Sequence, residues 1–293
     1  MHTLKRTAIV FALAAITLAF LAKSNFLTTK SSVDGLAPKA PQIEVDNPFT
    51  DQPLTMRELL DLAEASLQQV SKDVAGYTAR FEKLETIATG ETTELAEMQI
   101  KVQTRFREGL TNAPRRIYIR FTQPESIKGR EVIWREDKYD QKMAVHETGF
   151  LLSLKTIWLD PSGLIAMQGQ RHPVSELGIV KLTEQLISRG KKDINNPNLT
   201  ITVRDNYEFD GQPAKLVTVL RQQPAVEPDD YQKAEIVFDS ANNLVLAFRS
   251  YLASDSSTNS MRLIESYAYH DLKLNADLSE TDFDVLNPLY NFP

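Results

Sequence analysis

The sequence predicts an α+β protein that is mainly antiparallel β, a curled sheet or unclosed β-barrel with an N-terminal helix and an inserted, lid-like helix. Three observations support this prediction. About ten segments alternate between apolar and polar residues, as strands with one wet face do. Dipeptides that close hairpins, among them Asp210-Gly211 and Asn242-Asn243, separate some of these segments. A helical period occurs in two segments that follow the N-terminal region, one before the strands and one between two groups of them.

The first 24 residues have the organisation of an export signal or a signal anchor. Lys5 and Arg6 precede an uncharged, mostly apolar stretch, residues 7–22. As a helix this stretch spans about 24 Å, less than the roughly 30 Å hydrocarbon core, so a cleaved signal competes with a short anchor. Ala22-Lys23-Ser24 offers small residues at the spacing of a signal peptidase site. The protein is therefore predicted to be exported to the periplasm or cell envelope, and to stay at the inner membrane if uncleaved.

Composition excludes several classes of protein. The chain has no cysteine, which excludes disulfides, thiolate metal sites and an acylated-cysteine lipoprotein anchor. It carries 33 Lys and Arg against 39 Asp and Glu, and removal of Lys5, Arg6 and Lys23 with the signal leaves 30 against 39, a net charge of about −9. An acidic body argues against a general binder of nucleic acid or anionic lipid surfaces.

Residues 25–51 contain three prolines and no hydrophobic period, so they are predicted to be a flexible linker before a single β-rich domain, residues 52–293. At the start of this domain Thr55 and Glu58 have the spacing of a capping box. An apolar stripe at steps of three and four residues follows, and Gly76 is predicted to close the helix. The stripe consists of Leu59, Ala63, Leu67, Val70 and Val74.

The cleanest alternation runs from Met98 to Phe106 and predicts a strand with one apolar face. Further strands are predicted at residues 77–86, 116–122, 130–135, 142–146, 199–204, 215–221, 234–238, 244–252 and 261–270. Apolar positions on a curled sheet either line a ligand cavity or fill a core, and large side chains usually fill a small barrel. The cavity candidates are Met98, Ile100, Val102, Phe106, Ile117, Ile119, Phe121 and Trp134.

A second helical segment, residues 173–189, ends at Gly190 and lies between two groups of strands. This position suits either a lid over the sheet or an ordinary packing helix. Pro173 is at home in a first helical turn, and Ser175 or the nearby backbone is a candidate cap. The lid or entrance candidates are Arg171, His172, Pro173, Leu177 and Val180.

Motifs that carry catalysis, metals or cofactors are not found in the sequence. The four histidines (His2, His146, His172 and His270) lack a second ligand at metal-binding spacing. No nucleophile elbow, P-loop or Gly-rich dinucleotide motif occurs. The segment 160–163 is predicted to be a turn, and its Ser162 has no recognisable base nearby. The sequence thus indicates no enzyme and no cofactor. A hydrolase in which two carboxylates converge in the folded chain stays an alternative.

Four blocks of sequence together resemble an uncharacterised bacterial family, domain of unknown function 1571. They are residues 128–134, residues 156–163 with Ala166-Met167, residues 171–179, and residues 272–292. The resemblance covers roughly residues 54–292 and implies no activity. The layout is also similar to that of the periplasmic lipoprotein carriers LolA and LolB, in which an unclosed barrel wraps over helices and holds acyl chains in an apolar cavity.

The second resemblance implies a cell-envelope protein that binds a lipid or lipoprotein acyl chains in the concave face of the sheet, with a part in lipoprotein or lipid transport. The alternative is a membrane-tethered adaptor or sensor that grips another envelope protein by a sheet edge or the lid helix. A hydrolase of unknown substrate comes third. Cleavage after Ser24 would separate the first two, because a carrier that shuttles between membranes cannot stay anchored. Ligand identity and oligomeric state stay open.

Overall fold

One continuous antiparallel sheet dominates the computed structural model, which describes residues 51–293 apart from 88–89, 91, 108–109, 111, 150–152, 223–230 and 256–257. The predicted signal and almost all of the predicted linker lie outside the described residues. The strands are β1 (Gln52–Pro53), β2 (Gly76–Glu85), β3 (Ala96–Gln103), β4 (Arg116–Gln123), β5 (Glu131–Arg135), β6 (Met143–His146), β7 (Ile157–Leu159), β8 (Leu199–Phe209), β9 (Gln212–Arg221), β10 (Lys233–Asp239), β11 (Val245–Asp255) and β12 (Thr258–Leu274).

The strand order is β1-β8-β9-β10-β11-β12-β2-β3-β4-β5-β6-β7. Strands β2 to β7 and β8 to β12 are two runs in which consecutive strands pair, and β2 joins the runs by pairing with β12. The end strands β1 and β7 are not paired with each other in the described part of the chain, so the sheet is unclosed. The predicted fold class, mainly antiparallel and unclosed with two helices, is confirmed.

The first helix, α1 (Met56–Asp73), begins where the capping box was predicted. Glu58 N donates to Thr55 Oγ1 at 3.2 Å, and Thr55 N donates to Glu58 Oε2 at 2.8 Å, which satisfies two N–H groups at the helix end. The second helix, α2 (Ile179–Lys192), follows a short 3₁₀ turn, Val174–Glu176. Neither these nor any other described helix is long and apolar enough to cross a membrane.

Two glycines predicted to end helices have other roles. Gly76 is the first residue of β2, and a Cβ there would lie 2.8 Å from the Val102 carbonyl oxygen, so strand pairing requires glycine. Gly190 lies inside α2 rather than after it. A Cβ at Gly190 would lie 2.9 Å from Leu60 Cδ2, because this glycine is where α2 and α1 approach each other. The cap of α2 is also different from the prediction: its N-cap residue is Gly178.

The main core lies between the two helices and the concave face of the sheet. Helix α1 contributes the stripe residues Leu59, Ala63 and Val70, and α2 contributes Ile179, Leu182 and Ile187. Aromatic residues of the central strands complete this core, and the ring centroids of Phe81 and Tyr269 are 4.8 Å apart. The predicted amphipathic faces of helices and strands therefore meet in one interior.

The C-terminal segment, residues 275–293, packs on the opposite, convex face over β3 to β6. Phe283 is fully buried against Tyr118 and Ile133, and Tyr290 stacks on Tyr118 at 4.1 Å. Strand β5 is consequently buried along its whole length, with the core on one side and this segment on the other. The C-terminal segment thus gives part of the sheet a second apolar layer.

Candidate functional site

An apolar cavity lies in the concave face between α1, α2 and strands β9 to β11. It contains about 480 Å³ of space not filled by atoms, part of which is open to solvent. A water-sized molecule can reach only about 30 Å³ of this space, so the cavity is narrow. Its walls are Met56, Leu59, Leu60, Ala63, Leu186, Arg189, Gly190, Val219, Tyr231, Ala234, Ile236, Phe238 and Phe248.

Three of the wall residues are small: Ala63 of α1, Gly190 of α2 and Ala234 of β10. At Gly190 the two helices are in close contact, because a Cβ there would lie 2.9 Å from Leu60 Cδ2. The other wall residues are mostly large and apolar, so the cavity offers a hydrophobic surface where α1, α2 and the sheet meet.

A buried polar cluster borders this cavity in the same concave face. We call it the Glu85–Glu265 cluster after the two carboxylates at its centre, which pair in register across β2 and β12. Glu85 is 1% exposed and Glu265 is 2% exposed, so both carboxylates depend on protein partners for solvation. The other members of the cluster are Lys83, Arg171, His172, Arg189, Ser250 and Tyr267.

Glu265 lies within hydrogen-bond distance of four side chains, which come from α2, the segment before it, β11 and β12. Its Oε1 accepts from Arg189 Nη1 of α2 at 3.1 Å and from the Ser250 hydroxyl of β11 at 3.1 Å. Its Oε2 lies 3.2 Å from His172 Nε2 and 3.1 Å from the Tyr267 hydroxyl. This carboxylate thereby ties α2 and the segment before it to the sheet.

Glu85 holds the same segment one residue earlier. Its Oε2 accepts from the Arg171 backbone N–H at 3.1 Å, and its Oε1 accepts from the Tyr267 hydroxyl at 2.6 Å. Lys83 Nζ pairs with Glu85 at 3.2 Å. The Tyr267 hydroxyl lies within hydrogen-bond distance of both carboxylates and so links Glu85 to Glu265.

The pKa values in the cluster follow from these contacts. Burial by itself raises the pKa of Glu265, but the His172 hydrogen bond and the Arg189 charge outweigh it and lower that pKa to about 2. The hydrogen bond to Glu265 raises the pKa of His172 above its usual value, against the effect of burial. Burial and the two neighbouring carboxylates raise the pKa of Tyr267. The cluster therefore favours an ionised Glu265, a protonated His172 and a neutral Tyr267.

Arg189 belongs to both features: it bonds Glu265 in the cluster and is a wall residue of the cavity. Its guanidinium carbon lies 5.9 Å from the centre of the Phe248 ring, another wall residue. Arg189 is thus the charged side chain at the boundary between the polar cluster and the apolar cavity.

The sequence-predicted cavity candidates lie in the other half of the sheet. Six of them are at most 5% exposed within the main core: Met98, Ile100, Val102, Ile117, Ile119 and Trp134. Phe121 is partly buried against that core, and Trp134 Nε1 donates to the Gln141 carbonyl at 3.1 Å. None of the candidates is a wall residue of the cavity between α1, α2 and β9 to β11.

Phe106 differs from the prediction in its secondary structure, because β3 ends at Gln103 and does not reach it. The alternation of buried and exposed side chains stops at Gln103 and Thr104, which are consecutive and both buried. The Thr104 hydroxyl there bonds the backbone of the preceding helix-to-strand connection, donating to the Val74 carbonyl. Phe106 is partly buried beyond the strand.

The lid or entrance candidates lie at the start of α2. Arg171 and His172 contact the Glu85–Glu265 cluster, as described above. Pro173 precedes the 3₁₀ turn, and Leu177 and Val180 are partly buried against the main core. The structure therefore brings the first two residues together with buried carboxylates and places the other three around the helix start.

Two residues that sequence reasoning did not single out fasten this helix start. Arg115, 4% exposed, donates to the Ser175 carbonyl at 2.7 Å and to the Leu177 carbonyl at 2.8 Å. The Tyr77 hydroxyl accepts from the Ile179 backbone N–H at 2.9 Å, which satisfies a donor at the first turn of α2. Both partners are distant in sequence, so local patterns carried no signal for them.

Other polar residues from the predicted blocks pair within the sheet. Arg130, just before β5, pairs through Nε with Glu147, just after β6, at 2.9 Å, and Glu131 accepts from the Tyr118 hydroxyl at 2.6 Å. Glu131 also accepts from the Asn291 backbone N–H at 2.7 Å, which anchors the C-terminal segment. Over the described part of the chain, no three His, Cys, Asp or Glu side chains are grouped so that they could hold a metal ion.

Comparison with solved structures gives remote likenesses. Lipoprotein LppX of Mycobacterium tuberculosis has 12% identity and a TM-score of 0.41, over 77% of this chain and 98% of that one. A LolA superfamily protein from Nitrosomonas europaea has 12% identity and a TM-score of 0.31, over 79% and 98%. A DUF1329 family protein from Desulfovibrio piger has 12% identity and a TM-score of 0.34, over 80% and 98%. At these values the likenesses carry no argument about function.

Sequence comparison is more specific about the family. Among curated proteins, none matches this chain. A family model described as a protein of unknown function, DUF1571, matches residues 74–292, which is well over half of the chain. The match spans strands β2 to β12, α2 and the C-terminal segment up to residue 292, and it includes the blocks that carried the resemblance. This protein belongs to the DUF1571 family.

Proposed function

We propose that this protein is an exported cell-envelope protein that binds a hydrophobic ligand, a lipid or the acyl chains of a lipoprotein, in the concave cavity between α1, α2 and β9 to β11. The observation that carries the proposal is the cavity itself, whose walls are almost wholly apolar. The space that a water-sized molecule can reach is about 30 Å³, well below the roughly 300–1,000 Å³ typical of small-molecule sites, so a ligand has to widen the cavity. Transfer of each methylene group from water to such walls contributes about 0.8 kcal/mol.

The narrowness of the cavity implies that a ligand must separate its walls. Gly190 and Leu60 are in close contact where α2 meets α1, so a small movement of α2 would widen the cavity between them. The start of α2 is held by Arg115 and Tyr77, and its last turns carry the wall residues. Binding would therefore involve the C-terminal half of α2 more than its start.

The first experiment identifies the natural ligand. The protein is expressed with its full chain, purified without detergent and extracted for mass spectrometry. We expect lipid or fatty-acyl species to copurify at a stoichiometric amount. An extract without lipid, together with no binding of added alkyl compounds in a titration, would contradict the proposal.

A cavity-filling variant links the ligand to this site. Ala234→Phe places a large ring into the space, so we expect it to lower the affinity for a 16-carbon alcohol at least tenfold. The matched control is Ala253→Phe, on the exposed side of neighbouring β11, which adds the same ring outside the cavity. Equal affinities of the two variants would place the ligand elsewhere, for example near the Met98–Phe121 candidates.

A second candidate function, an adaptor for another envelope protein, is favoured by the edge strand β7. This strand pairs on one side only in the described structure, and exposed apolar side chains lie on or near it: Trp158 is 41% exposed and Leu164 is 94% exposed. An extended partner segment could add to such an edge. A photo-crosslinking residue in place of Trp158 should then give one discrete protein adduct in cells, whereas the same residue in place of Leu220, away from that edge, should give none.

We also propose that residues 1–24 direct export, as a signal peptide or signal anchor, and that residues 25–51 form a flexible linker. Sequencing the N-terminus of the mature protein decides its mode of action. A chain that begins after Ser24 fits a mobile carrier, and a chain that retains the apolar segment fits a tethered receptor.

A further inference from the structure

The charged group at the edge of the cavity bears on the chemical class of the ligand. Arg189 is the single Lys, Arg, Asp or Glu among the wall residues of the cavity. Its side chain is 29% exposed, and it forms one charge-assisted hydrogen bond, from Nη1 to Glu265. No other hydrogen-bond partner of Arg189 occurs among the described residues, and a guanidinium has five N–H donors. Donors are therefore available for a group that enters the cavity.

The ion pairs around Arg189 leave it as the cation that faces the cavity. Lys83, Arg171, His172 and Arg189 are the basic groups here. The carboxylates that pair with them are Glu85, Glu265 and Glu176. The two arginines and the lysine balance these three carboxylates, so a protonated His172 adds a positive charge, and Arg189 alone among the four basic groups is also a wall residue.

We infer that the ligand is an amphiphile with an anionic head group, a carboxylate or a phosphate ester, whose head binds Arg189 while its alkyl chain lies between α1, α2 and β9 to β11. This inference rests on the proposed function and narrows it. Guanidinium groups bind carboxylate and phosphate oxygens through paired N–H donors, and such hydrogen bonds are stronger when desolvated. The head group would share Arg189 with Glu265 and lie beside the Phe248 ring.

The test compares ligands that differ only in the head group. Hexadecanoic acid, hexadecyl phosphate and hexadecanol are titrated into the detergent-free, full-length protein at pH 7.5, below their aggregation concentrations, by displacement of a fluorescent alkyl probe. We expect both anions to bind at least about tenfold more tightly than the alcohol, as a charge-assisted hydrogen bond predicts. Inorganic phosphate and acetate at the same concentrations should not displace the probe.

Variants assign the preference to Arg189. Arg189→Gln should reduce the ratio of anion to alcohol affinity to about one, and Arg189→Lys should keep part of it. Glu265→Gln should increase the ratio, because it removes the carboxylate that competes for the guanidinium. The matched control is Arg57→Gln, which removes a charge from the exposed face of α1, outside the cavity, and should keep the wild-type ratio.

The outcomes separate this inference from the proposed function. Equal affinities of the acid, the phosphate and the alcohol would overturn the head-group inference and leave a hydrophobic site. Unchanged ratios in Arg189→Gln would overturn the assignment to Arg189. Displacement by inorganic phosphate as strong as by hexadecyl phosphate would show a simple anion site and overturn the inference as well. If no alkyl compound binds, the proposed function itself is wrong.

Discussion

Replacement of Glu265 by glutamine tests how strongly the cluster depends on one ionised carboxylate. Glu265 is 2% exposed and accepts from His172, Arg189, Ser250 and Tyr267. These contacts lower its pKa from 4.5 to about 2. A carboxyl group with a lowered folded-state pKa stabilises the protein above its unfolded-state pKa, and this stabilisation is lost as the pH falls through the folded-state value.

The size of the effect follows from the two pKa values. With 4.5 in the unfolded chain and about 2 in the folded one, linkage gives a loss of about 0.8 kcal/mol of unfolding free energy at pH 4, and about 2 kcal/mol at pH 3, relative to pH 7. Glutamine cannot titrate, so this part of the acid sensitivity disappears in Glu265→Gln. The variant is also expected to be less stable at pH 7, by about 1–3 kcal/mol, because its partly exposed basic partners and the buried Ser250 hydroxyl lose an ionised acceptor.

Urea unfolding followed by circular dichroism at pH 7, 4 and 3 measures the difference. The fall in unfolding free energy from pH 7 to pH 3 should be about 2 kcal/mol smaller in Glu265→Gln than in the wild type. The control is Glu94→Gln, which removes an exposed carboxylate outside the cluster and should keep the wild-type slope. An identical acid slope in Glu265→Gln and the wild type would show that the carboxylate is not stabilised by its partners as described.

Three further variants probe the contacts around α2. Because the pKa of His172 is raised, the stability from its ion pair with Glu265 is fully present below about pH 6.5 and is lost as the pH rises through the raised pKa. His172→Gln should therefore show a smaller fall in Tm between pH 6 and pH 9 than the wild type. The same fall in both proteins would refute the ion pair. Tyr77→Phe leaves the Ile179 N–H without its acceptor and should cost about 1–3 kcal/mol in urea unfolding, whereas no loss would show that water replaces the hydroxyl. Gly190→Val should lower stability by about 1–2 kcal/mol, because overpacking against Leu60 outweighs the small gain in helix propensity, and the same variant should weaken binding of an alkyl probe. Unchanged stability and binding would mean that the two helices separate easily.

Features that depend on neighbours in sequence were predictable. The Thr55 capping box lies within one helical turn and is confirmed. The Asp210-Gly211 pair lies between β8 and β9 with φ of 56° and 73°, the left-handed values that a two-residue hairpin turn requires. The positions of ten strands, β2 to β6 and β8 to β12, also followed from alternation, because solvent on one face and core on the other impose a period of two. The short strands β1 and β7, of two and three residues, were not predicted, because so few residues show no period.

Features that depend on distant partners were not predictable. The bond between Tyr267 and Glu85 joins residues separated by 182 positions, and only the register of β2 against β12 brings them together. The cavity likewise has walls from α1, α2 and strands β9 to β11, which lie far apart in sequence, so no local pattern encodes it. Gly76 and Gly190 resemble helix-ending glycines in sequence, but close approach of a distant backbone or side chain explains them better.

The pairing of β2 with β12 also constrains how the chain folds. Each of the two runs, β2 to β7 and β8 to β12, is built from hairpins whose loops close at little entropic cost. Joining them brings together Tyr77 and Leu274, which are roughly 200 residues apart, and such non-local contacts form slowly. We expect the two runs to acquire structure separately and the seam between β2 and β12 to close last. Pulsed hydrogen exchange would then show that the amides facing each other across this seam gain protection after those inside each run. Glu85 and Glu265, which pair across the seam, would lose contact with water only in that final step.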